Sequence, residues 1–268
     1  APVFLMLERV LRRAHEFDIL HFHLDYMPFS LFTRQPTPHV TTLHGRLDLK
    51  EIWGHYELHT EVPLISISDS QRRPMAWANW ARTIHHGLPE NLFRPAPGAK
   101  PDYLAFLGRI SPEKRVDRAI EIAGRAGLKL KIAAKVDRAD RDYFEQKIEP
   151  LLKQPHVEFI GEIGDHQKAE FLSNAQALLF PIDWPEPFGL VMIEAMACGT
   201  PVVAYNHGSV PEVMEDGLTG FIVDGMDAAV QAVQRLPLLD RAAIRHRFEQ
   251  RFTARRMAED HVALYEHL

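Results

Sequence analysis

A chain of 268 residues, 46% hydrophobic and 25% charged, has the make-up of an ordinary globular protein with room for two domains, which excludes extensive disorder. A formal charge of -5, with lysines and arginines scattered rather than blocked, gives no basic field for nucleic acid. No apolar run approaches the roughly 18 to 20 residues that span a bilayer, and no signal peptide is visible, so no transmembrane segment is expected.

The chain opens on Ala1-Pro2 with an apolar helical pattern already running through Phe4, Leu7, Val10 and Leu11, which points to a missing natural start. Short apolar runs then alternate with helical patterns, the signature of βα units and a parallel sheet. Strands are predicted over Asp18–His23, His39–Leu43, Pro63–Ile67 and Arg82–His85. The stretch Pro89–Pro101, with Asn91, Pro95, Pro97 and Gly98, has linker composition and marks a boundary after residue 94. Beyond it, strands are predicted over Tyr103–Leu107, Lys129–Ala133, Val157–Ile160, Ala177–Phe180, Pro201–Ala204 and Gly220–Val223. Six strands complete a doubly wound sheet; the four before the linker make an incomplete one. The expected organisation is an incomplete Rossmann-like domain over 1–94, a complete one over 95–250, and a terminal helix over 251–268. Cys198 lies among small apolar residues and reads as a packed thiol in a protein of the reducing cytoplasm.

In open α/β folds ligands gather where strands end, so the residues after each strand carry the functional expectations. After Tyr103–Leu107 comes Gly108-Arg109-Ile110-Ser111-Pro112-Glu113-Lys114. Ser111 suits an N-cap and Pro112 the first helical position, which puts Lys114 in a first helical turn. Free amides, the helix dipole, Arg109 and Lys114 then concentrate positive potential that an anion would relieve. The alternative is that Arg109 and Lys114 pair with Glu113 or Asp117 on the surface.

Further along, Pro185-Glu186-Pro187-Phe188-Gly189-Leu190-Val191 leads into an apolar helix that carries Glu194 and stops at Gly199. The amides of Phe188, Gly189, Leu190 and Val191 form a second anion site. Glu194, flanked by Ile193, Ala195, Met196 and Ala197, needs a partner. A vicinal diol such as a ribose meets that need bidentately; a buried pair with Arg109 or Lys114 is the alternative.

The Glu186 to Glu194 spacing, with Phe188-Gly189-Leu190 between and Glu194-Ala195-Met196-Ala197-Cys198-Gly199-Thr200-Pro201 following, resembles the E-x7-E signature of the family 4 retaining glycosyltransferases. Leu107-Gly108-Arg109 with Lys114 resembles that family's donor-phosphate motif, and Asp18–His23, Ser66–Arg72, His86-Gly87 and Gly208–Glu212 follow in the family's order. The resemblance implies a GT-B fold, two Rossmann-like domains facing a cleft. It implies hexosyl transfer with retention, independent of metal and of any resident cofactor, from a nucleoside-diphosphate sugar to an unidentified acceptor hydroxyl. By the same resemblance Arg109 and Lys114 hold the diphosphate and Glu194 the ribose hydroxyls. Glu186 and the amides of Phe188 to Leu190 address the sugar ring, Ile163 lies near the base, and His44 faces the reacting sugar. The terminal helix is the segment that returns to the first domain.

Some features depart from the pattern or compete with it. The family's glycine-rich loop after its first strand precedes Ala1, which leaves a nucleotide-binding module without turnover as the second hypothesis. Lys135 follows its strand where relatives carry a Gly-x-Gly turn, and stands as an extra phosphate or base contact. Asp140-Arg141-Asp142 matches a short metal-binding pattern, but acidic residues opening a helix fit capping better. His21 and His23 share ligand-like spacing without a third ligand, which favours packing over metal. The polar-aromatic segment Gly45–Thr60 is the candidate for acceptor recognition, with a plain surface excursion as the alternative.

Overall fold

A computed structural model describes residues 2–268, which divide into two compact units: one runs to His86 and takes in Arg256–Leu268, the other spans Gly87–Arg255. Each is an α/β unit with one parallel sheet.

The first sheet holds four strands in sequential order: β1 (Leu20–Phe22), β2 (His39–Thr42), β3 (Leu64–Ser66) and β4 (Trp80–Thr83). The helix α1 (Pro2–Arg13) turns Val3, Leu7, Val10 and Leu11 onto Leu20 and Phe22, as its apolar spacing requires. A second patch of core joins Val40, Ile65 and Ile84 to Leu264 of the last helix, α7 (Ala254–Tyr265).

The second sheet has the order β10-β9-β8-β5-β6-β7, built from β5 (Tyr103–Arg109), β6 (Lys129–Lys135), β7 (Val157–Gly161), β8 (Ala175–Phe180), β9 (Val202–Tyr205) and β10 (Gly220–Val223). Residues Tyr103 to Leu107 of the central strand β5 are all buried, as expected of a strand covered on both faces. The edge strand β7 differs, because Glu158, Phe159 and Ile160 are exposed where full burial was expected. The helix α2 (Val116–Ala126) buries Val116, Ala119, Ile120 and Ala123 at helical spacing and ends on the left-handed Gly127. Four more helices of eight or more residues belong to the unit: α3 (Asp165–Ser173), α4 (Leu190–Ala197), α5 (Met226–Arg235) and α6 (Arg241–Arg251).

The division falls between His86 and Gly87, not after residue 94, because the Pro-rich stretch is tied to the second unit. Phe93 is fully buried there, Arg245 donates to the carbonyls of Glu90 and Phe93, and the Ala96 amide donates to Ser173 Oγ at 2.9 Å. Composition signals flexibility, but these bonds hold the segment. Leu88 and Thr253 pair as an isolated bridge, so the second unit also runs past residue 250.

Truncating the buried Leu264 removes the contact of α7 with Val40, Ile65 and Ile84. Leu264→Ala is expected to destabilise the first unit by about 2–3 kcal/mol, read as a lower urea midpoint.

Candidate functional site

In the second unit an open hollow of about 580 Å³ lies at the carboxyl ends of β5, β6 and β7. Arg109 and Lys135 stand at two strand tips, Ile163 follows the third strand, and Lys168, Leu190, Val191 and Glu194 come from α3 and α4. Five of the residues expected to contact a donor thus meet there: Arg109, Ile163, Leu190, Val191 and Glu194. Lys114, Glu186, Phe188 and Gly189 do not line it, and His44 belongs to the first unit.

Glu194 is the most deeply buried charged group of the hollow. Its neighbours Met192, Ile193, Ala195, Met196 and Ala197 are fully buried, and the side chain goes in with them. One carboxylate oxygen accepts from Lys168 Nζ at 2.9 Å, and the same ammonium lies 3.0 Å from Asp165. The other oxygen is buried without a hydrogen-bond partner. Burial pushes the Glu194 carboxyl above its ordinary value against the pull of Lys168. The ion-pair partner is therefore neither Arg109 nor Lys114, because 26 residues of chain fold back to bring a third cation to Glu194.

Lys114 is also placed differently from the expectation of a first helical turn. Pro112–Lys114 form a separate 3-10 turn, Arg115 adopts the left-handed conformation, and α2 starts at Val116. Lys114 Nζ pairs with Glu186 Oε2, which also accepts from Trp184 Nε1 at 2.8 Å. The ammonium stands 5.2 Å from the Trp184 ring centre and 5.7 Å from that of Phe180. Arg109 donates to Glu113 at 2.8 Å and has Asp137 and Asp140 at 3.6 and 3.8 Å.

Uncompensated positive potential is consequently absent from the hollow. Three cations line it (Arg109, Lys135, Lys168) against four carboxylates (Asp137, Glu162, Asp165, Glu194). Lys135 is itself bound to Asp137 at 3.0 Å. The Glu113 pairing foreseen as the alternative for Arg109 does occur. Asp140 heads its short helix without a side-chain capping bond, so capping does not account for it; its carboxylate faces Arg109 instead. Among the described residues no group of three or more His, Cys, Asp or Glu side chains could hold a metal ion.

The loop that carries Glu186 is clamped by the segment after β9. Ser209 N donates to Glu186 O at 3.0 Å and Ser209 Oγ to Phe188 O at 2.8 Å. Gly208, at φ +58°, passes so close that an added Cβ would lie 2.3 Å from Glu186 N. Gly189, at φ +78°, precedes α4, which begins at Leu190 rather than Phe188. The first free helical amides are those of Leu190 and Val191, and Phe188 and Gly189 belong to the turn before them. Cys198 is buried, and burial pushes its thiol up to about 12, as suits a packed residue.

In the first unit His44 Nε2 and His23 Nδ1 share a hydrogen bond of 2.7 Å, and the His44 ring stacks on His86 at 5.3 Å. His21 bonds to Tyr265 Oη at 2.6 Å and to Thr42 Oγ1 at 2.7 Å, which accounts for it by packing. Burial lowers all four rings, with neighbouring histidines adding repulsion: His21 to about 3, His86 to about 4, and His23 and His44 below the usual range. In the segment Gly45–Thr60, Tyr56 is buried in the core, while Arg46 holds Asp48 at the surface with two bonds of 2.7 Å.

A hollow at the strand ends, a clamped glutamate loop and a buried helical glutamate define a class, and comparison with known proteins assigns it. The model of the glycosyl transferases group 1 family matches residues 89–254, more than half of the chain, and the chain belongs to that family. It is 35% identical over 172 residues to the D-inositol 3-phosphate glycosyltransferase of Streptomyces scabiei, covering 56% of this chain and 38% of that protein. It is 34% identical over 113 residues to the phosphatidyl-myo-inositol mannosyltransferase of Mycobacterium leprae, covering 42% and 30%. The alignments thus span well under half of these relatives' own lengths. Among solved structures, Anabaena HepE in complex with UDP and glucose aligns with a TM-score of 0.81 at 20% identity, over 98% of this chain and 81% of that one. Sucrose-phosphate synthase of Thermosynechococcus elongatus aligns at 0.79 and 21%, over 99% and 77%. These likenesses show the fold, which is the GT-B type with two Rossmann-like units.

Two outcomes follow from this geometry. The buried histidines titrate near 6.5 in the unfolded chain but at about 3 (His21) and about 4 (His86) in the folded one. Their contribution is complete above 6.5 and is lost as pH falls through that window, because only the unfolded chain takes up the protons. The thermal midpoint is expected to drop between pH 7 and pH 4, with a shallower slope in His21→Gln. Gly208→Ala is expected to cost about 1–3 kcal/mol in urea unfolding. Gly98→Ala, at φ +71° with open space around it, carries only the backbone strain and should cost about 1 kcal/mol.

Proposed function

We propose that this chain takes part in glycosyl transfer with retention, moving a hexosyl group from a nucleoside-diphosphate sugar to an acceptor hydroxyl, with no resident metal or cofactor. The carrying observation is the convergence in one hollow of Arg109, Ile163, the amides of Leu190 and Val191, and Glu194 with one buried carboxylate oxygen left unbonded. A ribose hydroxyl is a donor of the right kind for that oxygen, while Lys168 keeps the other. The base lies toward Ile163, and the diphosphate toward Arg109 and the start of α4. HepE, the structural neighbour solved with UDP and glucose, and the glycosyltransferase names of the relatives support a sugar nucleotide as donor.

In this reading the bond from the anomeric carbon to the diphosphate oxygen breaks as the acceptor oxygen approaches the same face. The acceptor's proton passes to the departing phosphate. Charge develops on that phosphate, so side chains and amides aimed at its oxygens lower the barrier, by about 3 kcal/mol for an important donor. Lys114 leaves Glu186 for the diphosphate, and Glu186, released, turns to the sugar hydroxyls. Counter-charge comes from lysine and arginine, and the buried thiol of Cys198 agrees with a reducing cytoplasm. Among the described residues no helix is long and apolar enough to cross a membrane.

Thermal shifts with uridine, guanosine and adenosine diphosphates and their hexose conjugates test the reading, since a ligand selective for the native state raises its midpoint. Arg109→Ala and Lys114→Ala are each expected to weaken binding of the preferred diphosphate by about 1–3 kcal/mol in calorimetry. Unchanged affinity in both would remove the donor assignment. Binding that persists in an extended chain without sugar transfer would leave a nucleotide-binding module.

A further inference from the structure

Two non-glycine residues adopt a positive φ among the described residues, Asp25 and Arg115, and the second directly follows Lys114. Arg115 sits at φ 53° and ψ 50°, between the 3-10 turn that ends on Lys114 and the start of α2. Glycine adopts this conformation without steric cost, so an arginine here is kept against the backbone preference. Its side chain supplies the reason. Nε and Nη2 grip Asp117 at 3.0 and 2.8 Å, while Nη1 reaches Asp183 Oδ2 at 2.7 Å, across to the loop after β8.

The same Asp183 oxygen accepts from Arg118 at 3.1 Å, and the Asp183 amide donates to Glu113 O at 2.9 Å. The loop carrying Lys114 is thus fastened to the loop carrying Glu186, one residue before the first and three residues before the second. With both chains pinned there, the reach of Lys114 toward Glu186 is set by backbone rather than by a flexible side chain alone. A single exposed ion pair is worth little, but a bidentate arginine within a network that also joins two backbones carries geometric restraint.

We propose that Arg115 is a positioning residue that fixes the distance between Lys114 and Glu186 and so tunes the grip of Lys114 on the donor diphosphate. The link to the diphosphate rests on the function proposed above; the link to Lys114 does not.

Arg115→Gly separates the roles, since glycine keeps the left-handed backbone and removes only the guanidinium bonds to Asp117 and Asp183, leaving the Asp183-to-Glu113 backbone bond in place. In the ligand-free protein, amine-labelling kinetics read by peptide mass spectrometry should show Lys114 labelled several-fold faster in Arg115→Gly at an unchanged thermal midpoint, with partial protection restored in Arg115→Lys. A Lys114 labelling rate equal to that of the parent protein would overturn the proposal whether or not any nucleotide binds. With uridine diphosphate as probe, Arg115→Gly should weaken binding roughly fivefold. In the Lys114→Ala background the same change should have no further effect. A full, multiplicative loss in that background would also overturn it, because Arg115 would then act independently of Lys114. Failure of the parent protein to bind uridine diphosphate counts against that donor alone, and the labelling result still decides the role of Arg115.

Discussion

Glu194 is carried into the interior by a helix whose other inward side chains are apolar, and the cost of that burial shapes the second unit around it. A carboxylate in such surroundings needs a donor for each oxygen. Lys168 meets one requirement, which fixes where α3 must lie against α4; the second oxygen stays bare. An unsatisfied buried acceptor costs about 1–3 kcal/mol, so the ligand-free state is left short of one hydrogen bond that an incoming hydroxyl can supply. The hollow at the ends of β5, β6 and β7 is the space on which that carboxylate borders.

The cations of the unit follow a complementary logic. Arg109, Lys114, Lys135 and Lys168 each hold a carboxylate, so on the function proposed above the binding of a diphosphate would be an exchange of partners and not the filling of a positive pocket. On that proposal the exchange couples events, since a phosphate that drew Lys114 away would free Glu186 in the same step. The clamp from Gly208 and Ser209 holds the Glu186 backbone independently of what its side chain pairs with.

Much of this was legible in the sequence. Period and turn residues locate all ten strands to within about three residues, and the segments 108–114 and 185–194 mark the two loops at which the site is built. The partner of Glu194 was not legible, because Lys168 lies 26 residues away and only the packing of α3 on α4 brings it near. A lysine three residues after Asp165 on a short helix was the available signal, and it reads equally well as a local surface pair. The left-handed turn at Arg115 escaped for the opposite reason: sequence rules assign such turns to glycine, and here side-chain bonds override the backbone preference. The domain boundary was misplaced because proline content signals a linker, whereas buried Phe93 and the bonds of Arg245 decide which unit owns the segment.

The two units therefore handle ionisable groups by opposite means. In the first, desolvation and the neighbouring rings hold His21, His23, His44 and His86 below the usual imidazole range, which favours the neutral form in a cluster of four rings. In the second, groups that must stay charged are paired, and the one carboxylate driven deepest is bonded on one side only. A neutral histidine offers a hydrogen bond without adding charge, and His23 Nδ1 and His44 Nε2 share one. Neutral donors suit a sugar, whose hydroxyls carry no charge; exchangeable ion pairs suit a diphosphate, which does.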